Sequence, residues 1–100
     1  MISQPMGGLS ESDILAKREE AVHHLEQLGH ETIDTYFEGD EPDEVFGSTL
    51  KSSGIYWLGY SLIAMSSCDG VFFCKGWKDA RGCRIEHDTA IAYGLQTMYE

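Results

Sequence analysis

The sequence is poor in basic residues and in proline, and it has no long apolar run. Seven lysines and arginines stand against 17 aspartates and glutamates among 100 residues, a formal net charge of −10 at pH 7. A surface of this sign repels a phosphate backbone. No apolar run reaches the roughly 18 residues that a membrane-spanning helix requires, and the N-terminus lacks the layout of a secretory signal. We expect a cytoplasmic protein without nucleic-acid or membrane partners.

Cysteine is also scarce. Cys68, Cys74 and Cys83 are an odd number without an export signal, which predicts reduced thiols. Cys83 and His87 form a C-x-x-x-H step that lacks a second pair of ligands, so we expect no metal and no other cofactor. The apolar share of 42% and the charged share of 24% are those of a globular protein. A chain of this length builds one core, and we expect a single domain over residues 1–100.

Strand-like and helix-like patterns alternate along the chain. The predicted strands are residues 1–4, 30–37, 71–74 and 96–99, and the predicted helices are residues 10–28, 54–67 and 83–93. Ser10 caps the first helix and Gly29 ends it, while the apolar residues 54–67 predict a mostly buried helix. Residues 45–53 are too weakly patterned to assign. The alternation predicts an α/β, Rossmann-like three-layer fold with a short parallel sheet of strand order 2-1-3-4.

In such a sheet, ligands bind at the carboxyl ends of the first and third strands, where the winding direction reverses. The first of the two loops there contains candidate ligand-binding residues that combine a rigid proline with two glycines before a helix. These are Ser3, Gln4, Pro5, Gly7 and Gly8. Free amides at a helix start favour an anion or a polar oxygen. The same residues also fit a plain tight turn.

The second loop leads to a carboxylate, Glu86, near a helix start and two arginines, Arg81 and Arg84. The positive end of the helix and the two arginines both favour the ionised carboxylate, so we expect a pKa of Glu86 below its ordinary value of about 4.3. An ionised carboxylate in a crevice can attack an electron-poor carbon, although a surface Glu paired with an Arg fits the pattern as well. Trp77 lies in the same loop, where an aromatic ring can cover a ligand.

Two runs of sequence carry a family resemblance. The residues Met1-Ile2-Ser3-Gln4-Pro5-Met6, and those from Phe73 through Glu86 to Leu95, resemble the DUF4406 family, which is similar to the nucleoside 2-deoxyribosyltransferases. The resemblance implies a flavodoxin-like fold and homo-oligomers in which a neighbouring subunit completes the site. It also implies that Glu86, in the segment Gly82-Cys83-Arg84-Ile85-Glu86, is a nucleophile toward the anomeric carbon of a nucleoside or nucleotide.

Two positions depart from the transferase pattern. Ser61 stands where that pattern has an aspartate that protonates the leaving base. Ala80 stands where it has another carboxylate or a serine, and Asp79 lies one place from Ala80. The candidate acid that assists the departing base is therefore Asp79 or a residue of a neighbouring subunit. The expected ligand contacts are Ser3 and Gln4 with the glycines of the first loop, Trp77, and the segment from Arg81 through Gly82 to Arg84. The alternative function is a non-catalytic nucleotide-binding or sensing module that uses the same crevice.

Overall fold

The computed structural model describes residues 1–36 and 39–100, which form a mixed α/β domain. The elements, in chain order, are β1 (Ile2–Ser3), α1 (Glu11–Gln27), β2 (Glu44–Val45), β3 (Ser48–Thr49), α2 (Ser53–Met65), β4 (Gly70–Phe73), a 3₁₀ turn (Trp77–Asp79), α3 (Arg81–Ala92) and β5 (Gln96–Tyr99). The strands β1, β4 and β5 form a parallel sheet in the order β1-β4-β5.

The sheet is covered by helices on both faces. Leu25 of α1 packs on the face that carries Phe72, and Met65 of α2 packs on the opposite face, where Val71 and Phe73 point. β4 is therefore buried on both sides, as its uninterrupted apolar sequence predicts. This arrangement is compatible with a Rossmann-like fold.

The predicted strand at residues 30–37 is wrong over its described part, residues 30–36, which contain no strand; Phe37 lies outside the described residues. In this segment, side chains form hydrogen bonds with backbone groups that the backbone of a neighbouring strand would otherwise pair with. Thr35 Oγ1 donates to the carbonyl of Ile2 at the edge of β1 at 3.3 Å, and Asp34 Oδ1 accepts from the Tyr36 amide at 2.8 Å. Within the described ranges, the parallel sheet has three strands instead of the four expected, and the predicted four-strand order is not confirmed.

A two-stranded hairpin, β2–β3, occupies a segment for which the sequence pattern predicts no element. Its turn is Phe46-Gly47, with positive φ at both residues (53° and 77°), as in the type I′ turns that suit short hairpins. Glycine adopts this conformation readily, whereas phenylalanine rarely does. Phe46 is fully exposed at the tip.

The predicted limits of α1 are confirmed by hydrogen bonds at both ends. Ser10 Oγ accepts from the amide of Asp13 at 3.2 Å and caps the N-terminus. At the other end, Gly29 has φ 87°, and the amide of His30 donates to the carbonyl of Leu25 at 3.0 Å. This pattern of a left-handed glycine and a bond five residues back is the Schellman ending that the sequence predicts.

The prediction that α2 is mostly buried is wrong. Among its residues only Met65 is buried, while Ile55 is 73% and Ile63 is 68% exposed. An apolar composition all round a helix normally indicates burial on every side. In this chain the sheet and α3 cover one side of α2 alone. Among the residues that the structure describes, no helix is long and apolar enough to cross a membrane.

Candidate functional site

The carboxyl ends of β1 and β4 lie side by side, because Ser3 is paired with Phe73 in the parallel ladder. The chain therefore leaves the sheet at the same edge twice, into residues 4–10 and residues 75–80. The two loops meet closely enough that a Cβ added at Gly76 would lie 3.6 Å from Cγ of Pro5. A cavity of about 810 Å³ opens between them and α2. This volume is within the usual range of small-molecule sites.

Glu86 lies at this cavity and is only 7% exposed. Ser3 Oγ donates a hydrogen bond to Glu86 Oε1 at 2.8 Å, in a buried contact between the end of β1 and the first half of α3. A buried carboxylate needs such partners, because the interior offers little solvation for its charge. The contact fixes the carboxylate between the two loops.

Burial raises the pKa of Glu86 above its ordinary value, and this effect is larger than the opposing ones. Hydrogen bonds from Ser3 and Ser61 and the positive charge of Arg18 lower that pKa in part. The predicted depression of the pKa is therefore wrong. Arg81 and Arg84, on which the prediction rested, are exposed residues at the start of α3, where water screens their charge.

Arg18 is the charged residue of this region that sequence reasoning missed. It lies on the sheet-facing side of α1, is 7% exposed, and approaches Thr35 Oγ1 at 3.5 Å and Asp34 Oδ1 at 3.8 Å through Nη1. Its Nε and Nη2 have no hydrogen-bond partner among the described residues, and burial lowers the pKa of Arg18. The spacing of the sequence contained a signal for the burial of Arg18. Arg18 follows Ile14 by four residues and precedes Leu25 by seven, so it lies on the apolar stripe of α1.

Gln4 contributes an amide whose orientation is determined by its neighbour. Its Nε2 donates to the carbonyl of Ile14 at 2.7 Å, and since a carbonyl only accepts, the nitrogen must be on that side. Gln4 Oε1 is buried and has no partner within the described part of the chain, while the residue lines the cavity. The amide oxygen of Gln4 is therefore an unpaired acceptor buried beside the cavity.

The structure brings most of the predicted site residues together and leaves others outside. The predicted residues that line the cavity are Gln4, Pro5, Gly7, Asp79, Arg81, Gly82 and Glu86. Ser3 is connected to the cavity through Glu86. Gly8 and Arg84 are exposed and do not contribute to the cavity wall.

The predicted role of Trp77 in the crevice does not fit its position. Its ring stacks on His87, with centroids 4.2 Å apart, and packs against Phe73 at 5.3 Å, on the core side of the 3₁₀ turn. Trp57 of α2 lines the cavity instead, and its Nε1 donates to Glu41 Oε2 at 3.0 Å. The signal is the helical spacing that places Trp57 on the same side of α2 as Ser61.

The described residues include three free thiols and no cluster of side chains arranged to hold a metal ion. Cys68, Cys74 and Cys83 are free thiols, and burial raises the pKa of Cys74 to about 11, so it is protonated at neutral pH. In residues 1–36 and 39–100, no group of three or more His, Cys, Asp or Glu side chains is arranged to hold a metal ion.

Fold and site together define a mixed α/β protein with a cavity at the carboxyl ends of two adjacent parallel strands. Residues 1–99 match the family described as a domain of unknown function, DUF4406, and the chain belongs to that family. No curated protein and no solved structure matches the chain significantly. The family is thus the one expected from the resemblance, and its description leaves the activity open.

Proposed function

We propose that the protein breaks the N-glycosidic bond of a nucleoside or nucleotide, with Glu86 as the nucleophile, in a flavodoxin-like fold. The observation that supports this proposal is the buried carboxylate of Glu86, held by Ser3 at 2.8 Å at the wall of a cavity where ligands of open parallel sheets bind. A carboxylate beside an anomeric carbon can stabilise or capture the positive charge that develops there.

The reaction takes two steps. A Glu86 carboxylate oxygen forms a bond to C1′ while the bond from C1′ to the base nitrogen breaks, and the electron pair leaves with the base. Asp79, an exposed carboxyl group on the cavity wall, gives the base a proton. Water or a second base then attacks C1′, the bond from C1′ to Glu86 breaks, and the Asp79 carboxylate accepts the proton that the attacking group loses. Glu86 thereby regains its free carboxylate. Hydrolysis and transfer differ only in that acceptor.

The remaining cavity residues bind the substrate. The N-cap of α3, Ala80, makes no side-chain cap, so the first amides of that helix, near Arg81 and Gly82, are available to sugar or phosphate oxygens. Gln4, Pro5 and Gly7 line the cavity and contact the sugar hydroxyls. Trp57, in place of Trp77, provides the ring against which the base rests.

A panel of nucleosides, deoxynucleosides and their monophosphates, assayed by chromatography for released base, tests the proposal. We expect base release by the wild-type protein and none by Glu86→Gln, with unchanged activity in Asp88→Asn, an exposed carboxylate on the same helix. Release that survives in Glu86→Gln would contradict the assignment of the nucleophile.

Asp79 has its own test, because an acid is needed only when the leaving base is poor. Asp79→Asn should slow base release about 10²-fold or more for an ordinary base. The loss should shrink for a nucleoside whose base leaves easily as an anion. An equal loss for both substrates would remove Asp79 from the acid role.

The pH dependence follows from the raised pKa of Glu86. The nucleophile must be ionised, so kcat/KM should rise with pH through a midpoint above the ordinary carboxyl value of 4.5. Ser3→Ala removes a hydrogen bond to the ionised form and should move this midpoint upward.

A non-catalytic nucleotide-binding module is the second candidate. The observation that favours it is Ser61, which hydrogen-bonds to Glu86 at a position where a proton donor is expected, and which cannot protonate a base at neutral pH. Saturable ligand binding by both wild type and Glu86→Gln, with no base released from any member of the panel, would support this function over the enzyme.

A further inference from the structure

Two aromatic side chains line the cavity, and each donates its polar hydrogen to a carboxylate. Trp57 Nε1 donates to Glu41 Oε2 at 3.0 Å, and the Tyr36 hydroxyl donates to Glu11 Oε1 at 3.1 Å. Glu41 precedes α2, whereas Glu11 is the first residue of α1. Two separate parts of the chain therefore place a negative charge next to an aromatic ring of the same cavity.

This pairing of ring and carboxylate has an electrostatic consequence. The face of an aromatic ring attracts a cation, and a hydrogen bond from the ring's N–H or O–H to an anion polarises the ring in the direction that strengthens the attraction. Hydrogen bonds from Trp57 and Ser53 lower the pKa of Glu41, which favours its charged form. The two pairs thus favour a positively charged ligand over a neutral one of the same shape.

The other charged groups around the cavity leave the balance negative. Asp79, Glu86 and Arg81 line it, and the buried Arg18 offsets part of the charge of Glu86. With the two carboxylates next to the rings, four acidic groups face two basic ones within the described part of the chain. The whole chain has a net charge of −10, which attracts cations to its surface.

We propose that the substrate of this cavity is an N-glycoside whose base is a positively charged heterocycle, such as a pyridinium or an N-alkylated purine, resting against Trp57 and Tyr36. This substrate class rests on the proposed function, because that function places the sugar carbon at Glu86 and the base at Trp57. Aromatic rings that recognise quaternary nitrogen work by the same attraction.

A positively charged base also suits the catalytic groups that are present. When Glu86 forms its bond to C1′, the electron pair of the breaking C1′–N bond moves to the ring nitrogen and neutralises it, so the base leaves without a proton. Ser61, which hydrogen-bonds to Glu86, could not supply that proton at neutral pH. Water then attacks C1′, the bond from C1′ to Glu86 breaks, and the Asp79 carboxylate accepts the proton that water loses.

Binding to the Glu86→Gln variant, which cannot form the glycosyl bond, tests the charge preference without turnover. Isothermal titration compares two pairs of ligands. The first pair is the riboside of pyridinium-3-carboxamide and the uncharged C-riboside of benzamide, and the second is 7-methylguanosine, at a pH where its base is cationic, and guanosine. We expect the cation to bind about 5–30-fold more tightly than its neutral partner. A preference in one pair alone identifies the ring that the cavity accepts, and equal or weaker binding of the cation in both pairs would overturn the proposal.

Glu41→Gln, made in the same variant, tests the origin of the preference. Glutamine keeps an acceptor for the Trp57 N–H but removes the charge, so the preference should fall about 3-fold or more while binding of the neutral ligand is unchanged. Glu26→Gln is the matched control, because Glu26 is an exposed carboxylate on α1 that does not line the cavity. Circular dichroism checks that both variants fold. A preference that Glu41→Gln leaves intact, or that Glu26→Gln reduces equally, would contradict the role of the ring and its carboxylate.

Base release by the wild-type protein separates this proposal from the proposed function. Equal kcat/KM values for the cationic and neutral nucleosides would overturn the charge preference and leave Glu86 as the nucleophile. No release from any nucleoside, together with tighter binding of the cations, would contradict the proposed enzyme and support the charge preference.

Discussion

The helices α1 and α2 meet the same sheet from opposite faces, and their surfaces differ in kind. α1 is amphipathic: Leu25 and Ala21 are buried against the sheet, and acidic residues cover its outer side. α2 buries only Met65 and exposes Ile55 and Ile63. Contacts within the single chain therefore cover the apolar side of α1, whereas they cover only one side of the apolar helix α2. This difference shows that the apolar composition of a helix does not by itself decide how much of the helix the chain covers.

The two helices also differ in what they contribute to the surroundings of Glu86 and to the cavity. α1 supplies Arg18, a buried positive charge whose field favours the ionised form of Glu86. α2 supplies neutral groups, Ser61 and Trp57, on the cavity wall. The electrostatic support of the carboxylate thus comes from the well-anchored helix, and the shape of the cavity depends on the partly exposed one.

The largest expected effect separates buried from exposed apolar residues. Leu25→Ala on α1, where the side chain is 2% exposed, should lower the free energy of unfolding by about 2–5 kcal/mol. Ile63→Ala on α2 should change it by less than about 0.5 kcal/mol at low protein concentration, because the side chain has few contacts within the chain. Urea denaturation of both variants at 1–2 μM measures the difference. Equal losses of unfolding free energy in the two variants would mean that Ile63 is buried within one copy. The contrast between a covered α1 and a partly exposed α2 would then be wrong.

The helix caps should behave alike, in contrast to the helix surfaces. Ser10 Oγ accepts from Asp13 N–H at 3.2 Å, and Ser52 Oγ accepts from Ile55 N–H at 3.1 Å. Replacing either serine with alanine should cost about 1 kcal/mol, since an amide at the helix start loses its acceptor. Denaturation curves of Ser10→Ala and Ser52→Ala give both values. A loss confined to Ser10→Ala would show that the start of α2 is not held by its cap in solution.

A smaller effect is expected from removing the charge of Glu86. Because burial raises its pKa in the folded state, ionisation disfavours folding, and stability falls as pH rises from the ordinary carboxyl value of 4.5 through the folded pKa. Glu86→Gln should therefore raise Tm by a few degrees at pH 7–8 and lose this advantage below the ordinary value. Differential scanning calorimetry across pH 4–8 checks this. A Tm gain that is the same at every pH would contradict the burial argument.

The smallest effect concerns the ion pair between Lys17 of α1 and the last residue, Glu100, whose side chains are 33% and 31% exposed. Such a pair contributes at most about 1 kcal/mol, because water screens it. Lys17→Met should therefore lower the free energy of unfolding only slightly, and 0.5 M salt should remove most of the difference. A loss above about 2 kcal/mol would indicate that the middle of α1 is held in place by this ion pair and not by the apolar stripe of the helix.

Local signals in the sequence predicted the features that depend on neighbouring residues. Ser10, Gly29 and the uninterrupted run Val71–Cys74 define a cap, a helix end and a central strand through interactions within a few positions. The two loops could be placed at one sheet edge because parallel crossovers fix that topology. Most of the cavity wall follows from these elements.

Features that depend on distant contacts were beyond sequence reasoning. Residues 30–36 have strand-like composition, but they form no strand, and the Thr35 hydroxyl donates a hydrogen bond to the Ile2 carbonyl at the edge of β1. The pKa of Glu86 depends on burial and on Arg18, far along the chain, more than on its adjacent arginines. Trp57 stands in an apolar helical segment and Trp77 in a loop between Gly76 and Lys78, yet the packing of α2 and of the 3₁₀ turn makes Trp57 the one that lines the cavity.

The central claim is that Glu86 forms a bond to the anomeric carbon, and intact-mass spectrometry tests it most directly. The protein is incubated with a 2′-fluoro-2′-deoxynucleoside or its monophosphate, whose fluorine slows release of the glycosyl group from the carboxylate, and is then quenched in acid and digested. The account predicts a mass increase equal to one glycosyl group, located on the peptide that contains Glu86 and absent in Glu86→Gln. An adduct on another residue, or base release from the same nucleosides with no covalent species on Glu86, would contradict it.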